Sequence, residues 1–158
     1  MSSTNWESKM VGRKKMAIPM TRQRNGFKGR KILVVDDNAI ILHVLSGILE
    51  DEDFIVTTAG SGIAALNALR QEDFDLIITD FVMPGMDGIS LLKKAKAMYP
   101  GLPVILLTGS PSRARQRLTD IKVDALLEKP LYREELLHRV ACCLVRHDRK
   151  VPDMIKAV

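Results

Sequence analysis

The sequence has few of the features that mark secreted, disulfide-linked or membrane proteins. Aromatic residues make up 4% of its 158 residues. Its two cysteines, Cys142 and Cys143, are adjacent, so they predict neither a disulfide framework nor a metal-binding pair. No apolar run approaches the ~20 residues that span a bilayer, and the amino-terminal segment lacks the apolar stretch of a secretory signal. We therefore expect one cytoplasmic globular domain without a membrane span.

Acidic residues are almost absent from the first part of the chain. Residues 1–31 hold nine lysines and arginines but only Glu7 as an acid, whereas the remainder carries a net charge of −3 within a total of +5. Because residues 1–29 also lack apolar periodicity, we predict a basic, disordered amino-terminal arm. A nucleic-acid-binding arm is one alternative, but it carries no recognised binding motif, so we do not expect nucleic acid as a partner.

Short apolar runs alternate with segments of helical period from residue 31 onward. The runs predict buried strands at residues 31–35, 54–59, 76–79, 104–108 and 125–127. The periodic segments predict helices after Asn38 and Ser61 and over residues 89–99, 112–120 and 132–146, with Ile63, Leu66 and Leu69 on the buried face of the second. This alternation predicts the α/β class, with a doubly wound five-stranded parallel sheet.

Polar residues with chemical capability follow four of the predicted strands. Asp36 and Asp37 follow the first strand, Asp80 the third, Thr108 ends the fourth and Lys129 follows the fifth. Because the carboxyl ends of parallel strands share one edge, we expect these side chains to lie together there.

Three carboxylates at one edge repel one another unless a cation lies among them. Carboxylates without histidine or cysteine suit Mg²⁺, or Mn²⁺, better than zinc. A carboxylate nucleophile, a metal ion, an ammonium group and a hydroxyl donor are the components of phosphoryl transfer to an aspartate. The sequence therefore predicts a magnesium-dependent phosphoryl site.

Four ordered motifs carry a resemblance to a known family. They are residues 34–38 (VVDDN), Asp80 followed by residues 83–88 (MPGMDG), residues 107–109 (LTG) and residues 128–130 (EKP). Together they resemble the response-regulator receiver domain of two-component signalling, of the stand-alone chemotaxis type. The resemblance covers residues 30–146 and implies the flavodoxin-like (βα)5 fold. Residues 147–158 are then predicted to be a short carboxyl-terminal tail.

The resemblance implies a role for each acid. Asp80 would be the phosphoacceptor, receiving the phosphoryl group from a sensor histidine kinase or a histidine phosphotransfer protein. Asp37, Asp80 and the backbone carbonyl of Val82 would bind Mg²⁺ directly, and Asp36 would act through a bound water. The chain would be a phosphorylation-activated switch and not a turnover enzyme.

The resemblance also implies the switch. Thr108 would turn toward the phosphoryl group, Lys129 would pair with it, and the Lys129–Pro130 peptide bond would be cis. Leu126 occupies a position where receivers usually have an aromatic switch residue, so the output must be transmitted by other groups. Val82 cannot orient an attacking water, which predicts a long-lived phosphoaspartate.

The output of the switch is expected to be contact with an unknown downstream protein. Arg113, Arg115 and Arg117 on the predicted fourth helix could present a basic face to an acidic partner, and phosphorylation could also produce a homodimer. One alternative is that the chain is a receiver fragment of a longer hybrid kinase or transcription factor. Another is an aspartate-based phosphohydrolase, which would need an acid where this chain has Val82.

Overall fold

The computed structural model describes residues 26–155, with side chains as far as residue 148. Residues 1–25 of the predicted basic arm and the last three residues of the predicted tail lie outside the described residues. No helix among the described residues is both long enough and apolar enough to cross a membrane.

Five strands alternate with five helices, as the sequence pattern predicts. The strands are β1 (Lys31–Val35), β2 (Ile55–Ala59), β3 (Leu76–Asp80), β4 (Val104–Thr108) and β5 (Ala125–Glu128). The helices are α1 (Ala39–Glu50), α2 (Gly62–Gln71), α3 (Gly88–Met98), α4 (Pro111–Arg117) and α5 (Arg133–Ile155). All strand pairs are parallel and the order is β2-β1-β3-β4-β5, which confirms the doubly wound, flavodoxin-like sheet.

The central strands β1, β3 and β4 are buried on both faces because they are apolar at nearly every position rather than at alternate ones, whereas the edge strand β2 is partly exposed. Along β1, Ile32 and Val34 point into a core shared with α1 and α5, while Leu33 and Val35 point into a core shared with α2 and α3. A smaller third cluster of Phe81, Ile89, Leu106 and Ala114 lies beneath α4. The continuous apolar run of β1 is thus the direct cause of a three-layer fold.

Side-chain caps begin three of the helices at the carboxyl edge of the sheet. Asn38 Oδ1 accepts hydrogen bonds from the backbone N–H groups of Ile40 and Ile41 at the start of α1. Ser61 caps α2 and Asp87 caps α3 in the same way, each by accepting from a backbone N–H three residues later. These caps satisfy otherwise unpaired donors and hold the loops that follow β1, β2 and β3.

The second helix buries less of its predicted face than its spacing indicates. Leu66 and Leu69 are buried, but Ile63 is 64% exposed. The placement of Ile63 in the predicted buried stripe is therefore wrong. Ile63 lies in the first turn of α2, where the helix begins beyond the end of β2 and no layer covers it.

The domain continues past both of its predicted ends. Phe27, assigned to the arm from the sequence, is buried at 9% exposure in the core formed with α1 and α5, and the Gly29 N–H donates to Asp53 O. At the other end, α5 does not stop at Arg146 but runs to Ile155. Both predicted boundaries depended on local periodicity, which carries no information about these distant contacts.

Ion pairs and a hydrogen bond attach the end of α5 to the amino-terminal edge of the sheet. Arg30 donates to both carboxylate oxygens of Asp148 at 2.7 Å and to Asp75 at 3.0 Å. The His147 Nδ1–H donates to Gly101 O at 2.9 Å. Asp75 also accepts the Lys31 N–H at 2.8 Å, so the first residue of β1 shares this network.

Phe27→Ala is expected to destabilise the domain. Truncating a nearly buried phenylalanine removes apolar contacts and leaves a partial cavity, so the free energy of unfolding should fall by about 2–3 kcal/mol in a urea titration. Tyr132→Ala is the matched control because Tyr132 is an exposed aromatic, and its change should stay within about 0.5 kcal/mol. Equal unfolding curves for the two variants would show that residues 26–29 are dispensable for the fold.

Candidate functional site

The predicted site residues meet at the carboxyl edge of the sheet. β1 and β3 are neighbours, with Val35 opposite Thr79, so Asp36 and Asp80 stand side by side just past that pair. Thr108 ends the next strand, β4. The connection after β1 runs to β2 on one side of the pair, and the connection after β3 runs to β4 on the other; ligand sites of doubly wound sheets lie at such switch points.

Asp36, Asp37 and Asp80 form a compact cluster of carboxylates. One oxygen from each lies within 4.8 Å of the others. Asp36 is 1% exposed and Asp80 is 9% exposed, whereas Asp37 faces solvent. Among the side chains described, those of residues 26–148, no other group of three histidine, cysteine, aspartate or glutamate residues is close enough to hold a metal ion.

Lys129 supplies the positive charge for this cluster. Its Nζ lies 3.2 Å from Asp80 Oδ1 and 3.5 Å from Asp36 Oδ2. The strand β5 positions it, because Glu128 pairs with Thr108 and the Lys129 N–H donates to Thr108 O at 2.8 Å. The Lys129–Pro130 peptide bond is cis, as the family resemblance implies.

The charged form of Asp36 is disfavoured by its surroundings. Burial raises its pKa, and the nearby charges of Asp80 and Asp37 raise it further, while the Asn38 N–H and Lys129 act in the opposite direction; the net shift is upward. Asp36 Oδ1 accepts the Asn38 N–H at 2.9 Å. Asp36 Oδ2 is buried and has only the long contact to Lys129, with no hydrogen-bond partner in the described part of the chain.

These residues fit a hard divalent cation. Oxygen is the only donor type in the cluster, which favours Mg²⁺ or Mn²⁺ over softer metals. A cation, or a water bound to it, would give Asp36 Oδ2 the partner that it lacks and would offset the repulsion that raises the Asp36 pKa.

Thr108 is placed beside the acids with its hydroxyl hydrogen available. The side chain is buried, and Oγ1 accepts the Ser110 N–H at 2.9 Å. Because Oγ1 acts there as an acceptor, its hydrogen is not used by that bond and is available for an oxyanion near Asp80 once the side chain turns toward it. The same bond links Thr108 to the start of α4.

The loop between β3 and α3 is tightly packed against the backbone of Asp80. A Cβ at Gly88 would lie 2.1 Å from Asp80 O, so no side chain is tolerated there. Gly85 has a φ of +76°, in the left-handed region that favours glycine. Val82 projects into solvent.

The three arginines of the predicted basic face are exposed on α4, and one of them also contacts the β3–α3 loop. Arg113 and Arg115 are exposed, as expected for an interaction surface. Arg117 is also exposed, and in addition it makes contacts within the molecule: its Nη1 lies 2.7 Å from Asp87 Oδ2, and its Cζ lies 5.5 Å from the centroid of the Phe81 ring. The output face of Arg113, Arg115 and Arg117 therefore stays a prediction, in which the ion pair with Asp87 already occupies one side of the Arg117 guanidinium.

Leu126 packs at the edge of the small apolar cluster that lies beneath α4. It is half-buried against the group formed by Phe81, Ile89, Leu106 and Ala114. Its aliphatic side chain thus fills space near α4 but has no polar group that could form a hydrogen bond.

The sequence did not reveal Asp87 and Phe81 as the partners of Arg117, because no spacing in the sequence relates these residues to α4.

A family model for the response regulator receiver domain matches residues 32–141. The chain belongs to that family. The chain is 34% identical over 117 residues to a probable transcriptional regulatory protein, TcrX, of Mycobacterium tuberculosis, a match that covers 73% of this chain and 50% of TcrX. It is 32% identical over 117 residues to the response regulator receiver protein CpdR of Brucella abortus, covering 73% of this chain and 98% of CpdR.

Solved receiver structures share the fold. The response regulator TrrA of Thermotoga maritima, crystallised in complex with Mg²⁺ and BeF, superposes with a TM-score of 0.68 at 31% identity and covers 73% of this chain and 99% of that one. This chain is thus a receiver domain of the two-component response regulators. It spans about half the length of the first curated relatives that it matches.

Asp36→Asn is expected to stabilise the receiver domain in EDTA. Because burial raises the Asp36 pKa, the charge costs nothing below the ordinary value of 3.8 and its full amount above the raised native value. Asparagine keeps an acceptor for the Asn38 N–H and removes the charge, so at pH 7 the melting temperature should rise by about 4 °C, equivalent to about 1 kcal/mol.

The gain from Asp36→Asn should shrink as the pH falls toward 4, since the wild-type carboxyl then takes up a proton. Thermal unfolding followed by circular dichroism at both pH values measures it. A lower melting temperature for the variant at pH 7 would show that the Lys129 ion pair outweighs burial and repulsion.

Proposed function

We propose that this receiver is a phosphorylation-activated signalling switch whose phosphoacceptor is Asp80. The observation that carries the proposal is the cluster of Asp36, Asp37 and Asp80 beside the Lys129 ammonium at the switch point of the sheet. An Asp80 carboxylate oxygen attacks the phosphorus of a phosphohistidine. The new O–P bond forms as the N–P bond breaks, and the freed imidazole takes up a proton.

Asp37, Asp80 and the Val82 carbonyl would hold Mg²⁺ directly, and Asp36 would act through a bound water. When bound, the metal neutralises charge on the transferring phosphoryl group. The chain itself supplies the remaining stabilisation, because Lys129 Nζ already lies 3.2 Å from Asp80 and the Thr108 hydroxyl can donate to a phosphoryl oxygen.

The product of this transfer stays attached to the chain, so the domain acts as a switch and not as a turnover enzyme. The rival reading, an aspartate-based phosphohydrolase, needs an acid two residues after the nucleophile. Val82 occupies that position and has no proton to give. A phosphoaspartate is also a charge of about −2 beside Thr108 and Lys129, and it biases the conformation of the adjacent surface.

The surface around the site favours a protein phosphodonor, either a sensor histidine kinase or a histidine phosphotransfer protein. Exposed apolar side chains stand on several elements at the carboxyl edge of the sheet, namely Ile40, Ile63, Val82 and Tyr132. Exposed apolar residues around a polar site are typical of protein contacts, whereas a small phosphodonor needs none of them. The cytoplasm remains the expected location.

The output would be contact with a downstream protein, with Arg113 and Arg115 available on α4 and a phosphorylation-dependent homodimer as one form of it. TcrX, a probable transcriptional regulator of about twice the matched length, favours the alternative that this receiver controls an attached effector. CpdR, which the match covers almost completely, favours the stand-alone form.

Asp80→Asn is expected to abolish phosphorylation. Incubation with acetyl phosphate should add one phosphoryl group to the wild-type chain in the presence of Mg²⁺ and none in EDTA, as measured by intact mass. Asp120→Asn is the matched control, since Asp120 is an exposed aspartate outside the cluster, and it should behave as wild type. A phosphoryl group on folded Asp80→Asn would place the acceptor elsewhere.

Val82→Asn is expected to shorten the lifetime of the phosphoaspartate. Val82 is exposed next to Asp80 and cannot orient a water, whereas an amide can. A hydrogen bond to the attacking water is worth about 0.5–1.5 kcal/mol, so dephosphorylation should be about two- to tenfold faster. Val82→Leu serves as the control, and an unchanged decay rate for Val82→Asn would mean that water access does not limit hydrolysis.

A further inference from the structure

The helix α4 is the most weakly held helix near the site. It has seven residues, of which only Ala114 is buried, and its cap residue Ser110 makes no side-chain capping bond. A helix of two turns is not stable by itself and depends on tertiary contacts. The few contacts that α4 makes therefore decide its position.

Two polar contacts bind opposite ends of α4 to the phosphorylation site. At the amino end, the Ser110 N–H donates to Thr108 Oγ1 at 2.9 Å. At the carboxyl end, Arg117 reaches Asp87 Oδ2 at 2.7 Å and lies over the Phe81 ring. Both contacts join residues within or directly beside the motifs of the site.

The groups that receive Arg117 belong to the firmly packed β3–α3 segment that carries Asp80. Phe81 follows Asp80 in the chain, its N–H donates to Leu107 O at 2.8 Å, and its carbonyl accepts the Gly88 N–H at 3.0 Å. Asp87 Oδ1 accepts the Ser90 N–H at 2.8 Å, which leaves Oδ2 for Arg117. Burial raises the Asp87 pKa, but the Ser90 and Arg117 hydrogen bonds lower it by more, so the net shift is downward and the carboxylate is charged at neutral pH.

We propose that Arg117 is a positioning residue whose contacts with Asp87 and Phe81 hold α4 in its unphosphorylated position and so set the coupling between α4 and the phosphorylation state of Asp80. This inference rests on the proposed function of Asp80. Arg117 sets how readily α4 is displaced in a receiver that has Leu126 in place of an aromatic switch residue. When the Thr108 hydroxyl turns toward a phosphoryl group, the bond to Ser110 is given up, and the Arg117 contacts are those that still resist displacement of α4.

Removing the Arg117 contacts should make that displacement easier. By linkage, a change that eases the displacement of α4 also tightens the binding of a phosphoryl mimic at Asp80. A partly exposed ion pair with a ring contact has a modest energy, so the affinity should rise by about two- to fivefold. A variant that merely damaged the fold would instead weaken binding.

The experiment titrates the full chain with beryllofluoride in the presence of Mg²⁺ by calorimetry. Hydrogen exchange of residues 111–118 is measured with and without the probe. The variants are Arg117→Gln, Asp87→Asn, which keeps an acceptor for the Ser90 N–H, and the double variant. Arg139→Gln is the control, because it removes the same charge from an exposed position on α5.

Each single variant should bind beryllofluoride about two- to fivefold more tightly than Arg139→Gln, and the double variant should gain no more than either single one. In the wild type, residues 111–118 should exchange faster with the probe than without it, and in Arg117→Gln this difference should shrink.

If Arg117→Gln binds as Arg139→Gln does, or if the two single effects multiply in the double variant, the coupling through Arg117 is overturned while the function of Asp80 stands. If the folded wild type does not bind beryllofluoride, the function proposed for Asp80 fails and the role of Arg117 fails with it.

Discussion

Repulsion among three carboxylates held at one edge of a parallel sheet is the constraint on which the rest of this domain depends. The strands bring Asp36 and Asp80 together whether or not their charges are compatible, because main-chain pairing and the burial of apolar strands set the register. The raised pKa of Asp36 is the local cost of that arrangement. Lys129 offsets part of the repulsion among the carboxylates, and a hard divalent cation would offset the remainder.

The carboxyl edge of the sheet has one side with many packing contacts and one side with few. Asn38, Ser61 and Asp87 cap the helices that follow the first three strands, and Gly88 packs directly on the Asp80 backbone, so the acidic side of the site is held firmly. The β4–α4 side is held by few contacts. Because the phosphoacceptor is firmly held and α4 is not, a phosphoryl charge added at Asp80 would displace α4 rather than the acidic cluster.

The sequence predicts the layers and the site well, since both depend on patterns that are local in the chain. Buried strands show as apolar runs, and the active groups stand immediately after them. Features made by distant residues escape this reasoning. Phe27 is buried by helices far along the chain, Ile63 is exposed because its turn lies beyond the sheet, and Arg117 finds its partners thirty and more residues away in the β3–α3 loop. Their placement depends on tertiary geometry, which no periodicity records.

The length of α5 gives the domain a mechanical property. The helix starts near the Lys129 loop and its 23 residues extend for about 34 Å. Arg30 binds the Asp148 carboxylate of α5 near the amino-terminal edge of the sheet, so a tilting α5 would pivot about this ion pair. A tilt of about 5° about Asp148 would move the far end, which lies about 10 Å beyond it, by about 1 Å, and the near end by about 2 Å in the opposite direction. Any segment joined to α5 would therefore receive a smaller movement of opposite direction on the side of the domain opposite the chemistry.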